Sequence, residues 1–285
     1  MKKFIISARP KQILKNTVVF IPLIFTLEQW FQNETFDVLL NSILCFFTFS
    51  CCSIIGYQIN DWIDRGFDKK HPKKKFRPIA NNEINLRQIY FFIIILFFMG
   101  LFFSVLVNSY VTIMYLTYLI FSFIYSSKLK NIILIDSISV IIFYIIRMIA
   151  GAYSITFEIS NWLYILTFFS SLFLIFIKRT SETKEGDYRV KKIVNFYNNL
   201  SIKRIKLFLL FINIFLYSIY AISETVSEQR EITFMITILL FSFGIIRYYL
   251  ITKGNNKGES PELIISKDTI IQISVFTYLI VIIFS

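Results

Sequence analysis

The sequence is poor in the residues that build soluble or secreted proteins. Eight glycines and five prolines in 285 residues exclude a collagen-like chain. The three cysteines, Cys45, Cys51 and Cys52, all fall inside one apolar stretch. They read there as small buried hydrophobes, and they supply neither a disulfide scaffold nor zinc-ligand spacing. His71 is the one histidine, and neither a nucleophile–histidine constellation nor a glycine-rich nucleotide loop is present. Apolar residues are abundant instead: 56% of the chain, with 33 Phe and a mean hydropathy of +0.64. A soluble domain has too little interior to hide that fraction, and disorder or a coiled coil would need far more charge. The composition is that of an integral membrane protein.

The net charge of +12 is distributed between apolar blocks and forms no tail. A basic soluble protein would suggest nucleic acid, but no soluble surface exists here to present a groove, so no nucleic-acid partner is expected. The start, Met1-Lys2-Lys3-Phe4-Ile5-Ile6, imitates a signal peptide. Arg9, Pro10 and Lys11 interrupt it before a proper apolar core and no small-residue cleavage site follows, so the segment is expected to be retained.

A helix needs about 20 apolar residues to cross the hydrocarbon core, and a lone strand there would leave its backbone unpaired. Nine blocks qualify: 12–31, 38–59, 87–107, 110–127, 132–154, 161–178, 206–222, 232–250 and 268–284. All but two of the 30 Lys and Arg lie at the N-terminal end or after an even-numbered span; the exceptions are Arg147 and Arg230. The positive-inside rule then places the N-terminus and every long polar loop in the cytoplasm, and the C-terminus outside. The opposite face has only short turns, which hardly build a site.

The densest chemistry follows the second span, in Asn60-Asp61-Trp62-Ile63-Asp64-Arg65-Gly66-Phe67-Asp68. At about 100° per residue, Asn60, Asp61, Asp64 and Asp68 share an arc of about 100° on one helix face. Three carboxylates crowded there repel unless a cation bridges them, and a hard divalent cation with oxygen ligands suits the set. The competing reading is a solvated acidic patch offset by the lysines that follow. Next comes His71-Pro72-Lys73-Lys74-Lys75-Phe76-Arg77-Pro78-Ile79-Ala80. Alone, such a run is usually topological or lipid-binding, but beside a metal cluster it reads as a phosphate clamp. His71 reads as a loop-shaping residue next to Pro72.

These segments resemble the UbiA superfamily of intramembrane prenyltransferases, whose first aspartate-rich motif matches Asn60 to Asp68. The stretch from His71 to Ala80 is similar to one branch, the polyprenyl-phosphate phosphoribosyltransferases, which include decaprenyl-phosphate enzymes. Further similar segments are Arg9 to Asn16, Tyr125 to Lys130, Arg147 to Gly151, Lys178 to Glu182, and the tail from Arg247 through Gly258 to Glu262. The likeness covers nearly the whole chain. It implies an all-α domain over residues 1–285, with about nine transmembrane helices around a central cavity.

Two further groups stand out. Arg147 is costly in the middle of a span and is a functional candidate on that ground. Asp136 lies on the same face but about 16 Å away along the axis, so the two read as separate charges facing one interior. Lys178, Glu182 and Glu185 share a face beside Arg179, either as an intrahelical ion pair or as part of a site. Members of the superfamily usually carry a second aspartate-rich motif near this point. Here a Lys-Arg pair precedes the acids, a departure that favours a site holding additional substrate phosphate. Residues 184–205 are a candidate helical cap.

The resemblance implies magnesium-dependent transfer of 5-phosphoribosyl from 5-phosphoribosyl 1-diphosphate to a polyprenyl phosphate, at the cytoplasmic face of a bacterial inner membrane. Asp61, Asp64 and Asp68 would hold the metal, Asn60 would orient them, and Lys74 and Arg77 would offset charge on the leaving diphosphate. Lys15, Asn16, Lys130, Asp136, Arg147, Lys178, Arg179 and Glu182 complete the expected substrate contacts. The alternatives are transfer of an isoprenyl chain to an aromatic acceptor, which needs the first motif equally, and a non-catalytic transporter. A transporter would place ionisable groups near the midplane, whereas most of the charge here lies at one face.

Overall fold

The computed structural model describes residues 2–30, 35–71, 74–132, 134–155, 160–181, 200–227, 232–253, 258 and 261–284. Among them every regular element is helical, as lipid demands of a chain that must satisfy its own backbone. The described residues fall into two compact units, one within Met1–Ile159 and one within Ser160–Lys184 and Lys192–Ser285.

The first unit begins with α1 (Lys2–Ala8) and α2 (Pro10–Ile13), then a 3-10 stretch (Leu14–Phe20), α3 (Ile21–Phe25) and α4 (Leu27–Trp30). The first expected span, 12–31, is therefore a succession of short helical pieces and not one helix. Pro10 and Pro22 each open a piece, because proline fits a first turn and breaks an interior. The long helix α5 (Thr35–Asp68) follows. Its 34 residues rise about 50 Å, against about 30 Å of hydrocarbon, so the helix outruns the bilayer and carries its aspartates to the polar end.

Helix α6 (Leu86–Val107) starts on a capping box, in which Asn85 accepts from the Gln88 amide at 2.9 Å and the Gln88 side chain accepts from the Asn85 amide at 3.2 Å. Asn108 closes α6 and caps α7 (Ser109–Ser127), accepting from the Val111 amide and donating to the Tyr153 carbonyl on α8 (Ile135–Ile155). The core of this unit gathers Cys45, Phe49 and Cys52 of α5, Val111, Tyr115 and Tyr118 of α7, and Phe143, Ile146 and Ala150 of α8. Phe91, Phe98 and Phe102 of α6 are 60–67% exposed, as expected of a lipid-facing stripe. Gly151 lets α8 touch the first element: a Cβ there would lie 2.1 Å from the Val19 carbonyl oxygen.

The second unit holds α9 (Asn161–Ser181), α10 (Leu200–Ser227), α11 (Ile236–Thr252), α12 (Pro261–Lys267) and α13 (Thr269–Phe284). Phe173, Ile177, Leu209, Leu210, Tyr248 and Ile271 form its core. Asp268 caps α13 through the Ile271 amide at 3.0 Å and accepts from Arg247 at 3.1 Å. The Arg247 guanidinium, with that amide, holds its carboxyl below the usual carboxylate range. Seven helices, α5 to α11, lie in segments long and apolar enough to cross a membrane, and α13 is a shorter apolar helix of 16 residues. The protein is an integral membrane protein.

Candidate active site

The last turns of α5 present Asp61, Asp64 and Asp68 inward, each less than a tenth exposed. Buried carboxylates need cations, and three are supplied: Arg77 by the loop that follows α5, Arg9 and Lys130 by distant parts of the chain. Arg77 donates through one nitrogen to Asp61 at 3.0 Å and to Asp68 at 2.6 Å. Arg9, from the turn between α1 and α2, is ion-paired with the same Asp61 oxygen. Lys130, buried in the 3-10 turn after α7, donates to Asp64 at 2.8 Å and to Asn60 at 2.9 Å. Asn60 thus shares its partner with Asp64, while Asp61 and Asp68 converge on a single nitrogen.

The loop after α5 is folded to deliver Arg77. His71 Nδ1 accepts from the Lys74 amide at 3.3 Å, and residues 74–76 make one 3-10 turn. The Asn81 amide returns to the Arg77 carbonyl and the Glu83 amide to Pro78, both at 2.8 Å. Ile79 and Ile84 are buried against Phe4, Trp62 and Ile93, which anchors the loop just after Arg77. Lys74 is half-buried in this turn, beside the arginine with which it was expected to act.

Arg147 is buried, and hydrogen bonds on four elements hold it. It donates to Asn16 at 2.8 Å, to Ser53 at 3.2 Å, to Tyr118 at 2.5 Å and to the Phe143 carbonyl at 3.0 Å. Ser53 also donates to Asn16 at 3.0 Å, and the guanidinium lies 4.9 Å from the Tyr118 ring centroid. The sequence singled out Asn16 and Arg147 separately; the structure brings them into one network with neutral partners. Lys15 is half-buried one residue before it. Asp136 stands apart at the start of α8, accepting from the Tyr125 hydroxyl at 2.8 Å. The separation expected between Asp136 and Arg147 is therefore observed.

In the second unit, Lys178 is half-buried and Arg179 buried at the end of α9. Glu182 and most of the expected cap 184–205 lie outside the described residues. Gly258 packs against this helix end, where a Cβ would lie 2.3 Å from Ser181 Oγ and 2.8 Å from Ile177. Sequence reasoning missed Arg9 as a site residue, reading it only as topology and resemblance. Nothing local marks it, since its partner lies 52 residues away. Tyr57, whose ring stacks 5.0 Å from the Arg9 guanidinium, had a signal: it precedes Asp61 by one helical turn on the same face.

Among the described residues no three His, Cys, Asp or Glu side chains are drawn together as a metal cage. The donor chemistry nevertheless fits a hard divalent cation: three carboxylates and an amide oxygen on one helix face, with Asp61 and Asp68 already converging on one positive group. Asp61 and Asp68 share Arg77, and Asp64 with Asn60 lies on the Lys130 side of the cluster.

The model of the UbiA prenyltransferase family matches residues 19–266, and the chain belongs to that family. Its relatives include the decaprenyl-phosphate phosphoribosyltransferase of Mycobacterium tuberculosis, 24% identical over 94% of this chain and 88% of that one. The enzyme of the same name from Mycolicibacterium smegmatis is 25% identical over 94% and 87%. Among solved structures, a UbiA homologue from Archaeoglobus fulgidus bound to GPP and Mg2+ superposes with a TM-score of 0.74 at 19% identity, over 99% of this chain and 100% of that one. The protein is a membrane-embedded transferase of this family.

Proposed function

We propose that this protein transfers 5-phosphoribosyl from 5-phosphoribosyl 1-diphosphate to a polyprenyl phosphate at the cytoplasmic face of a bacterial inner membrane. The observation that carries the reading is the mixed-sign cluster at the end of α5, where buried carboxylates are interleaved with Arg77 and Lys130. Carboxylates alone would suit a bare metal; the added guanidinium and ammonium suit a phosphorylated ligand beside it. Relatives bearing the phosphoribosyltransferase name at about a quarter identity support the choice of donor.

Asp61 and Asp68 would hold magnesium, with Asp64 and Asn60 beside them. The bound ion would supply charge to stabilise the departing diphosphate. Arg77 and Lys130 would bind the diphosphate oxygens as the bond from the anomeric carbon breaks and its electron pair leaves with them. A phosphate oxygen of the lipid would form the new bond to that carbon. This nucleophile is ionised at neutral pH, so no general base is required, and His71 has a structural task in the loop. Lys15, Lys74, Lys178, Arg179 and Glu182 remain proposed contacts for the other phosphates. Arg147 and Asn16 are proposed to hold the first helical element in place, with Asp136 orienting Tyr125.

The test is incubation of detergent-purified protein with magnesium, undecaprenyl or decaprenyl phosphate, and ribose-labelled donor. Label extracted into organic solvent at the mass of a phosphoribosylated lipid, and lost with EDTA, is the expected result. No labelled lipid from folded protein, with isoprenyl transfer to an aromatic acceptor in its place, would reassign the donor.

A further inference from the structure

We infer that Arg9 is a diphosphate-binding residue of this site, brought to Asp61 on a pre-set turn; the inference deepens the reading above and rests on it. Arg9 and Arg77 both donate to the same Asp61 oxygen. Arg77 is shared between Asp61 and Asp68, whereas Asp61 is the one carboxylate that Arg9 meets among the described residues. Arg9 has five N–H donors. One nitrogen is spent on Asp61, the guanidinium plane lies over Tyr57, and its other nitrogens make no hydrogen bond to the described residues. Its side chain is 19% exposed, against 4% for that of Asp61, so a ligand can reach it.

The backbone gives the second line of argument. Arg9 has φ 52° and ψ 62°, a left-handed conformation disfavoured for a long side chain and doubly so before a proline. Such a residue persists only where the surroundings over-determine it, and here the anchors flank Arg9 without using its side chain. Upstream, Ser7 donates to Gln58 at 2.7 Å and the Gln58 amide returns to the Ser7 carbonyl at 3.1 Å. Downstream, Asn16 is held by Arg147 and Ser53, and Val19 is seated against Gly151. Gln58 and Ser53 share α5 with Asp61, and Arg147 and Gly151 belong to α8, so both anchors are made without the Arg9 side chain. The ion pair is thus the product of the turn and not what holds it.

Charge settles the class of ligand. Arg9, Arg77 and Lys130 face Asp61, Asp64 and Asp68, three cations against three anions. A divalent cation on the carboxylates would leave the cluster with excess positive charge, which a diphosphate neutralises. The planar guanidinium fork of Arg9 suits two oxygens of such a group.

Isothermal titration of the full-length protein, wild type and Arg9→Gln, with inorganic diphosphate in excess magnesium chloride and with magnesium chloride alone, tests this. The expected result is a diphosphate Kd raised about tenfold or more in Arg9→Gln, with magnesium binding not weakened and the melting temperature unchanged. Diphosphate binding within twofold of wild type in a folded variant, or none in the wild type, would overturn the inference. Should Arg9→Gln fail to fold, Arg9→Lys decides, since it keeps the charge and loses the fork: binding several-fold weaker supports the inference, and unchanged binding overturns it. Neither sugar nor lipid enters the titration. Protein that binds diphosphate through Arg9 yet transfers no phosphoribosyl would therefore sink the donor assignment and leave Arg9 in place.

Discussion

At Asp61 two guanidinium groups meet one carboxylate, and removing that carboxylate leaves like charges in contact. Substitution by alanine thus mixes lost chemistry with lost stability, since an orphaned buried charge costs about 3–5 kcal/mol. Asp61→Asn and Asp64→Asn keep the shape and remove the charge. Each is expected to lower turnover at least about 100-fold while the protein still elutes as a folded species in detergent. Near-normal turnover in either would end the assignment of this cluster to the reaction. Arg147 is the contrasting residue. Arg147→Met removes the donor shared by Asn16, Ser53 and Tyr118, at about 1–3 kcal/mol for each buried group left unsatisfied. Its expected signature is a depressed melting temperature in detergent. Loss of turnover with unchanged melting would instead make Arg147 a direct ligand.

Among the elements, the segmented first stretch is the one on which the site depends. A continuous helix over 12–31 would leave no 3-10 stretch to set Asn16 against Arg147. Two glycines test how tightly this element is held. Gly151→Ala would drive a Cβ into the Val19 carbonyl and is expected to destabilise by about 1–3 kcal/mol and to lower turnover together with it. Gly66, on α5 between Asp64 and Asp68, has nothing within 4 Å of an added Cβ. Gly66→Ala is expected to be neutral or to stabilise by about 0.5–1 kcal/mol, because alanine loses less backbone entropy in a helix. Thermal melts of the two variants side by side separate close packing from helix propensity. Equal melting temperatures would mean that α8 and the first element are not in register as described.

For the whole molecule, the distribution of lysine and arginine predicts one cytoplasmic face that carries the N-terminus, the loop after α5 and the site. Cys45, Cys51 and Cys52 are all buried, so an introduced exposed cysteine can be labelled selectively. Lys75→Cys is expected to react with a membrane-impermeant maleimide in inverted vesicles and not in right-side-out cells. The reverse pattern would invert the topology and remove a cytosolic donor from consideration. Removal of divalent cations with EDTA is expected to abolish turnover, and added magnesium to restore it, while the helical circular dichroism stays unchanged. Persistent turnover would exclude the metal.

Helical spans were legible in the sequence because lipid leaves the backbone one economical way to satisfy itself, and apolar length reports that directly. Asp61, Asp64 and Asp68 were legible for a similar reason: helical spacing alone puts them on one face, and proximity along the chain is all their grouping requires. The basic stretch around Arg77 could be tied to them because it follows within a few residues. Partners separated by 50 residues or more were a different matter. That Arg9 reaches Asp61, that Asn16 meets Arg147, and that Lys130 joins Asn60 to Asp64 depends on how the segmented first stretch, α5, α7 and α8 pack, and no local spacing encodes it. The break in the first span was equally hidden, since Pro22 is compatible with a kink in a continuous helix until Gly151 and Arg147 are seen to hold the pieces. The sequence by itself determined a membrane-embedded helical protein with an acidic array at one span's end. Tertiary packing alone decided which cations face that array, because charges buried together must be balanced by whichever opposite charges the fold brings near.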